Sequence, residues 1–66
     1  MTEKQKQFVE NYTHMFRFGG EDIDCYALKH QLGIVAANGY KPIVGFTQEE
    51  TNQIWAAISE VAHEYD

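Results

Sequence analysis

The chain has 66 residues, a net charge of −5, one cysteine and 14% aromatic residues. That length excludes more than one domain, and so short a chain buries only about 60% of the surface its unfolded form exposes. The lone Cys25 excludes a disulfide framework and a cysteine-built zinc cluster. Stability therefore has to come from an aromatic-rich core, or from a face that a partner or a second copy completes.

No run of the sequence nears the ~20 apolar residues that span a bilayer. The opening MTEKQKQF lacks the apolar stretch of a secretory signal. The expected setting is cytoplasmic and reducing, with no membrane. Charge is placed unevenly. Residues 1–18 carry Lys4, Lys6 and Arg17 against Glu3 and Glu10, a balance of +1. Residues 19–66 carry Lys29 and Lys41 against Glu21, Asp22, Asp24, Glu49, Glu50, Glu60, Glu64 and Asp66, a balance of −6. Such a field repels phosphate and favours a basic partner, while also serving plain solubility.

Taken in order, the first helix is predicted over 2–16. Thr2 and Gln5 have capping-box spacing, and Phe8, Val9, Tyr12, Met15 and Phe16 form one stripe. Gly19-Gly20 breaks it. Glu21, Asp22 and Asp24 then suit a helix N-terminus, where carboxylates cap free N–H groups and oppose the dipole. The second helix is predicted over 22–38, with Cys25, Leu28, Leu32, Val35 and Ala36 facing inward and Tyr26 beside them.

Its end has two readings. A stop at Leu32 would make Gly33 the left-handed cap and let Ile34–Ala37 pair with Tyr40–Val44 around Asn38-Gly39. Continuation would place Gly33 inside the helix at a cost of ~1 kcal/mol and give Gly39 and Tyr40 the ending. The stripe keeps its phase through Val35 and Ala36, and Pro42 weakens so short a strand, so continuation is preferred. The third helix is predicted over 47–65. Thr47 and Glu50 form a second capping box, and Ile54, Trp55, Ile58, Val61, Ala62 and Tyr65 make the stripe. The fold expected is an all-α three-helix domain; the alternative is α+β, with a hairpin at 34–44.

Catalytic chemistry finds little purchase. His14, His30 and His63 fall one per helix, and the lone Glu60-x-x-His63 pair lacks the companions of a di-iron site. Asp22-x-Asp24 lacks the glycine and closing glutamate of a calcium loop. Cys25 sits among carboxylates that raise a thiol's pKa, and no phosphate-binding glycine loop is present. No catalytic residue, metal or cofactor is expected. Leu32-Gly33-Ile34 suits a helix-turn-helix turn, but the following IVAANGYKP carries one lysine, a glycine and a proline, where a recognition helix needs Arg, Lys, Asn or Gln facing the groove.

Residues 1–12, MTEKQKQFVENY, resemble the opening helix of phage terminase small subunits, with the pattern T-x-K-Q-x-x-F-V-x-x-Y. Residues 36–42, AANGYKP, are similar to the Ala-Gly-Tyr helix ending of that family's DNA-binding domain. Together they cover under a third of the chain. The spacing between them is longer than the family's, and its Asn-Ala-Thr-x-Ala-Ala segment is missing. The resemblance implies a phage or mobile-element origin, hence a host cytoplasm, and a DNA-binding alternative.

Surfaces remain. Arg17, Phe18, Glu21, Asp22, Asp24 and Tyr26 put aromatic anchors beside acids around one bend, and Tyr40 adds an aromatic from the connector. These are the candidate partner-binding residues. The leading expectation is a small acidic protein-interaction module, an inhibitor or adaptor for a basic protein surface. The alternatives are a DNA-binding domain and a structural homodimer.

Overall fold

The computed structural model describes residues 1–18, 22–23 and 25–64, without the side chains of Phe18, Asp22, Ile23 and Cys25. The elements in order are α1 (Glu3–His14), β1 (Arg17–Phe18), β2 (Asp22–Ile23), α2 (Cys25–Ala37) and α3 (Gln48–Glu64). The domain is all-α, its strands a two-residue antiparallel ladder in the bend between α1 and α2. Among the described residues no helix is long and apolar enough to cross a membrane.

Both predicted capping boxes form. Thr2 Oγ1 accepts from the Gln5 backbone at 3.2 Å, and the Gln5 side chain accepts from the Thr2 backbone at 2.8 Å. At α3 the Glu50 N–H donates to Thr47 Oγ1 at 3.1 Å while the Thr47 N–H donates to Glu50 Oε1 at 2.9 Å. Each pair satisfies donors that the first turn of a helix leaves without intrahelical partners.

The second helix runs through Gly33 and ends at Ala37, so the hairpin at 34–44 does not form. A Schellman ending stops it: the Gly39 N–H donates to Ala36 O at 3.0 Å and the Tyr40 N–H to Val35 O at 3.3 Å. This closure needs a left-handed residue, and Gly39 supplies it with φ 81°. Tyr40 follows at φ 50°, a conformation that side chains other than glycine adopt less readily.

The start of α2 is a correction. The acids were expected to open the helix near residue 22, yet Asp22 and Ile23 pair with Phe18 and Arg17. The ladder engages those backbone groups, and the helix begins at Cys25. Glu21 and Asp24 lie outside the described residues, as do the Gly19-Gly20 break and Tyr65.

Leu28, Ile54, Trp55, Ile58 and Ala62 form the core, and Phe8, Val9, Tyr12, Phe16, Leu32, Val35, Ile43, Phe46 and Val61 pack around it. Trp55 stands edge-on to Phe8 and Tyr12, with ring centroids 6.3 and 5.1 Å away, an arrangement favoured by the ring quadrupoles. Helix α3 is the element against which both others pack. Met15 departs from the predicted α1 stripe because the helix ends at His14, and its side chain is 70% exposed. Ala36 and Tyr26 also face solvent.

Polar ties fix one end of this arrangement. Gln5, 1% exposed, donates from Nε2 to Glu50 O at 3.2 Å and to Gln53 Oε1 at 2.8 Å. Lys4 Nζ donates to Gly45 O at 2.8 Å and lies 4.8 Å from the Phe46 ring centre. The buried Thr51 hydroxyl accepts from the Ile43 N–H at 3.0 Å, and Gln48 Nε2 donates to Tyr40 O at 2.8 Å. The connector therefore lies against α3 as expected, except that Val44 at its turn points outward.

Candidate protein interface

The residues singled out around the bend are only partly placed. Arg17 is exposed on β1, and Tyr26 is 88% exposed at the start of α2. Phe18 and Asp22 are described by their backbone ladder alone, while Glu21 and Asp24 lie outside the described residues. Tyr40 is 41% exposed, but it follows the far end of α2. At about 1.5 Å per residue the helix between them is some 20 Å long, so Tyr26 and Tyr40 do not share one small patch.

Tyr40 instead walls an open groove of about 350 Å³ whose other lining is Asn52, Trp55, Ala56 and Ser59 of α3. The small side chains of Ala56 and Ser59 leave that space. Trp55 is 8% exposed, and its buried indole N–H has no hydrogen-bond partner. The position of Trp55 in the core was legible from the stripe. That one edge of it lines a groove with Tyr40 was not, because the ending of α2 decides where Tyr40 stands.

Along the outer side of α3, Glu49, Glu60 and Glu64 are all exposed. Their spacings of 11 and 4 residues bring them within one narrow arc of the helix. Between Gln48 and Glu64 the helix carries no lysine or arginine. The bases elsewhere are partly engaged: Lys4 holds Gly45 and Phe46, and Lys6 lies 3.9 Å from Glu3. This acidic line was present in the sequence as separate letters. Only the helical phase turns it into a stripe.

The outer side of α2 carries a second surface that the sequence reading missed. Tyr26, His30, Gly33, Ile34 and Ala37 are exposed opposite Leu28, Leu32 and Val35. Their spacing of four, three, one and three residues keeps them on one side. The signal was available: α2 is apolar on more than one face, which for a helix means burial on more than one side. Here one side is covered.

Among the described residues no three His, Cys, Asp or Glu side chains come together as metal ligands. Burial raises the Tyr12 phenol above its ordinary 10.0, while Gln31 nearby pulls the other way without a hydrogen bond of ordinary geometry forming. That group faces the seam of the domain and offers no chemistry to solvent. No family model, curated protein or solved structure matches the chain.

Proposed function

We propose that this chain is a small acidic, non-enzymatic protein-interaction module that works in a reducing cytoplasm and engages a basic surface on a protein partner. The observation that carries the reading is the line of Glu49, Glu60 and Glu64 on a helix with no lysine or arginine. Carboxylates aligned over roughly 20 Å create a field that steers a basic partner and repels like charge. Such a stripe also repels a nucleic-acid backbone, which sets this reading apart from DNA binding. An inhibitor or adaptor role fits a chain whose features are surfaces.

The test uses a partner captured from host lysate and then purified. Its affinity is expected to fall at least tenfold between roughly 50 and 300 mM salt, because exposed charges are screened over that range. Replacing Glu49, Glu60 and Glu64 together by glutamine should weaken binding at low salt by a further factor of about ten, from three rim charges of up to ~1 kcal/mol each. An affinity indifferent to salt and to the triple variant sinks the proposal. Retention of duplex DNA at low salt would favour the DNA-binding alternative.

A further inference from the structure

We infer that the outer face of α2 is a docking site for a second copy of this chain, paired antiparallel about a two-fold axis. The face comprises Tyr26, His30, Gly33, Ile34 and Ala37, with Tyr26 88% and Ile34 42% exposed. Those five residues bear no formal charge in a chain of net charge −5, and the exposed Lys29 flanks their Gly33 edge. A basic partner has nothing to grip there, and two copies meeting there bring no acids face to face.

The occupant follows from the order of large and small residues. In a two-fold contact residue i meets residue j and j meets i. With the axis midway between residues 30 and 33, Tyr26 lies over Ala37 of the second copy and His30 over its Gly33. Each large side chain therefore meets a small one, twice over. A parallel pairing sets Tyr26 on Tyr26 and Gly33 on Gly33, which crowds one end and leaves a void at the other.

Gly33 costs helix stability, and among the described residues a Cβ added there would meet nothing within 4 Å beyond its chain neighbours and the helix's own backbone. Its place in the fold makes sense where a partner helix approaches closely. An antiparallel copy also sets the two helix dipoles side by side in opposite directions, the positive end of each beside the negative end of the other.

The contact area sets the strength. A helix face some 20 Å long gives well under the roughly 800 Å² per partner of a standard interface. A reversible dimer with a dissociation constant of roughly 10 to 500 μM is the consequence.

Sedimentation equilibrium of the full chain tests this. The apparent mass should rise from 7.6 kDa toward twice that value as concentration increases into the high micromolar range. Gly33→Gln and Ile34→Glu should each raise the dissociation constant at least tenfold. Gly33→Gln should do so with an unchanged or higher melting temperature, since the site is open within one chain. The triple glutamine variant of Glu49, Glu60 and Glu64 should dimerise as the parent does, which separates this contact from the proposed partner surface. In a Cys25→Ser background, chains with Tyr26→Cys should form disulfides with chains carrying Ala37→Cys faster than with themselves. A monomer throughout the range, dimerisation untouched by both face variants, or preferred self-linkage would each overturn the inference.

Discussion

Helices α1 and α2 both pack on α3, but they are held in different ways. The beginning of α1 is tied by directional bonds: Gln5 reaches the Glu50 carbonyl and Gln53, and Lys4 reaches Gly45. Helix α2 sits on α3 through Leu28, Leu32 and Val35, and its Schellman bonds and the Asn38 bond to Ile34 are internal to the helix and its cap. Directional bonds fix where one helix stands along another. Apolar contact holds two helices together and leaves their relative position softer. The end of the domain around α1, the connector and the start of α3 thus holds most of the directional bonds described between elements, and the C-terminal cap of α2 joins it through Gln48 Nε2 and Tyr40 O.

The sharpest way to break this contrast is Leu28→Ala. Leu28 is fully buried, and its truncation should cost about 3 kcal/mol. In hydrogen exchange of the variant, α2 amides should lose protection first while those of α1 near Gln5 hold longer. Simultaneous loss would show the two helices to be equally tied. Gln5→Ala is the converse. It removes three hydrogen bonds and leaves the Thr2 N–H short of a partner, for about 2 kcal/mol in urea unfolding. Its exchange signature should appear in α1 and the connector before α2.

Tyr12, with Gln31 of α2 near its hydroxyl, sharpens the comparison with the smallest effect. Its buried hydroxyl lacks a hydrogen bond, so Tyr12→Phe should be neutral or stabilising by up to about 1 kcal/mol. The pH dependence carries the sign. The folded phenol titrates above its ordinary 10.0, so its contribution is whole below pH 10.0 and is lost as pH rises through the folded value. Alkaline unfolding should be less steep in the phenylalanine variant; the same slope in both would contradict the assigned burial.

Much of this fold was legible in the sequence where the signals are local. Thr2 with Gln5, and Thr47 with Glu50, announce helix starts because the caps lie within four residues. The stripes of Phe8, Val9 and Tyr12 and of Ile54, Trp55 and Ile58 announce buried faces by phase alone. The end of α2 was legible through Gly39, whose left-handed geometry settles what Gly33 leaves open. The ladder of residues 17–18 with 22–23 was not, since two pairs of residues carry no periodicity and displaced the predicted helix start. Gln5 was seen as a cap and not as a buried tie, because its second role depends on α3 being 45 residues away in sequence yet within 3.2 Å in space. The candidate surfaces were legible as residue types. Their grouping on α2 and α3 required knowing which side of each helix the core had already taken.

The Gln5 tie joins an uncharged amide to a carbonyl and another amide. Ionic strength and moderate changes of pH leave such groups untouched. Under the proposed function, salt acts on the acidic surface while this buried tie stays indifferent. Conditions that weaken such binding then leave the Gln5 tie of the folded protein in place.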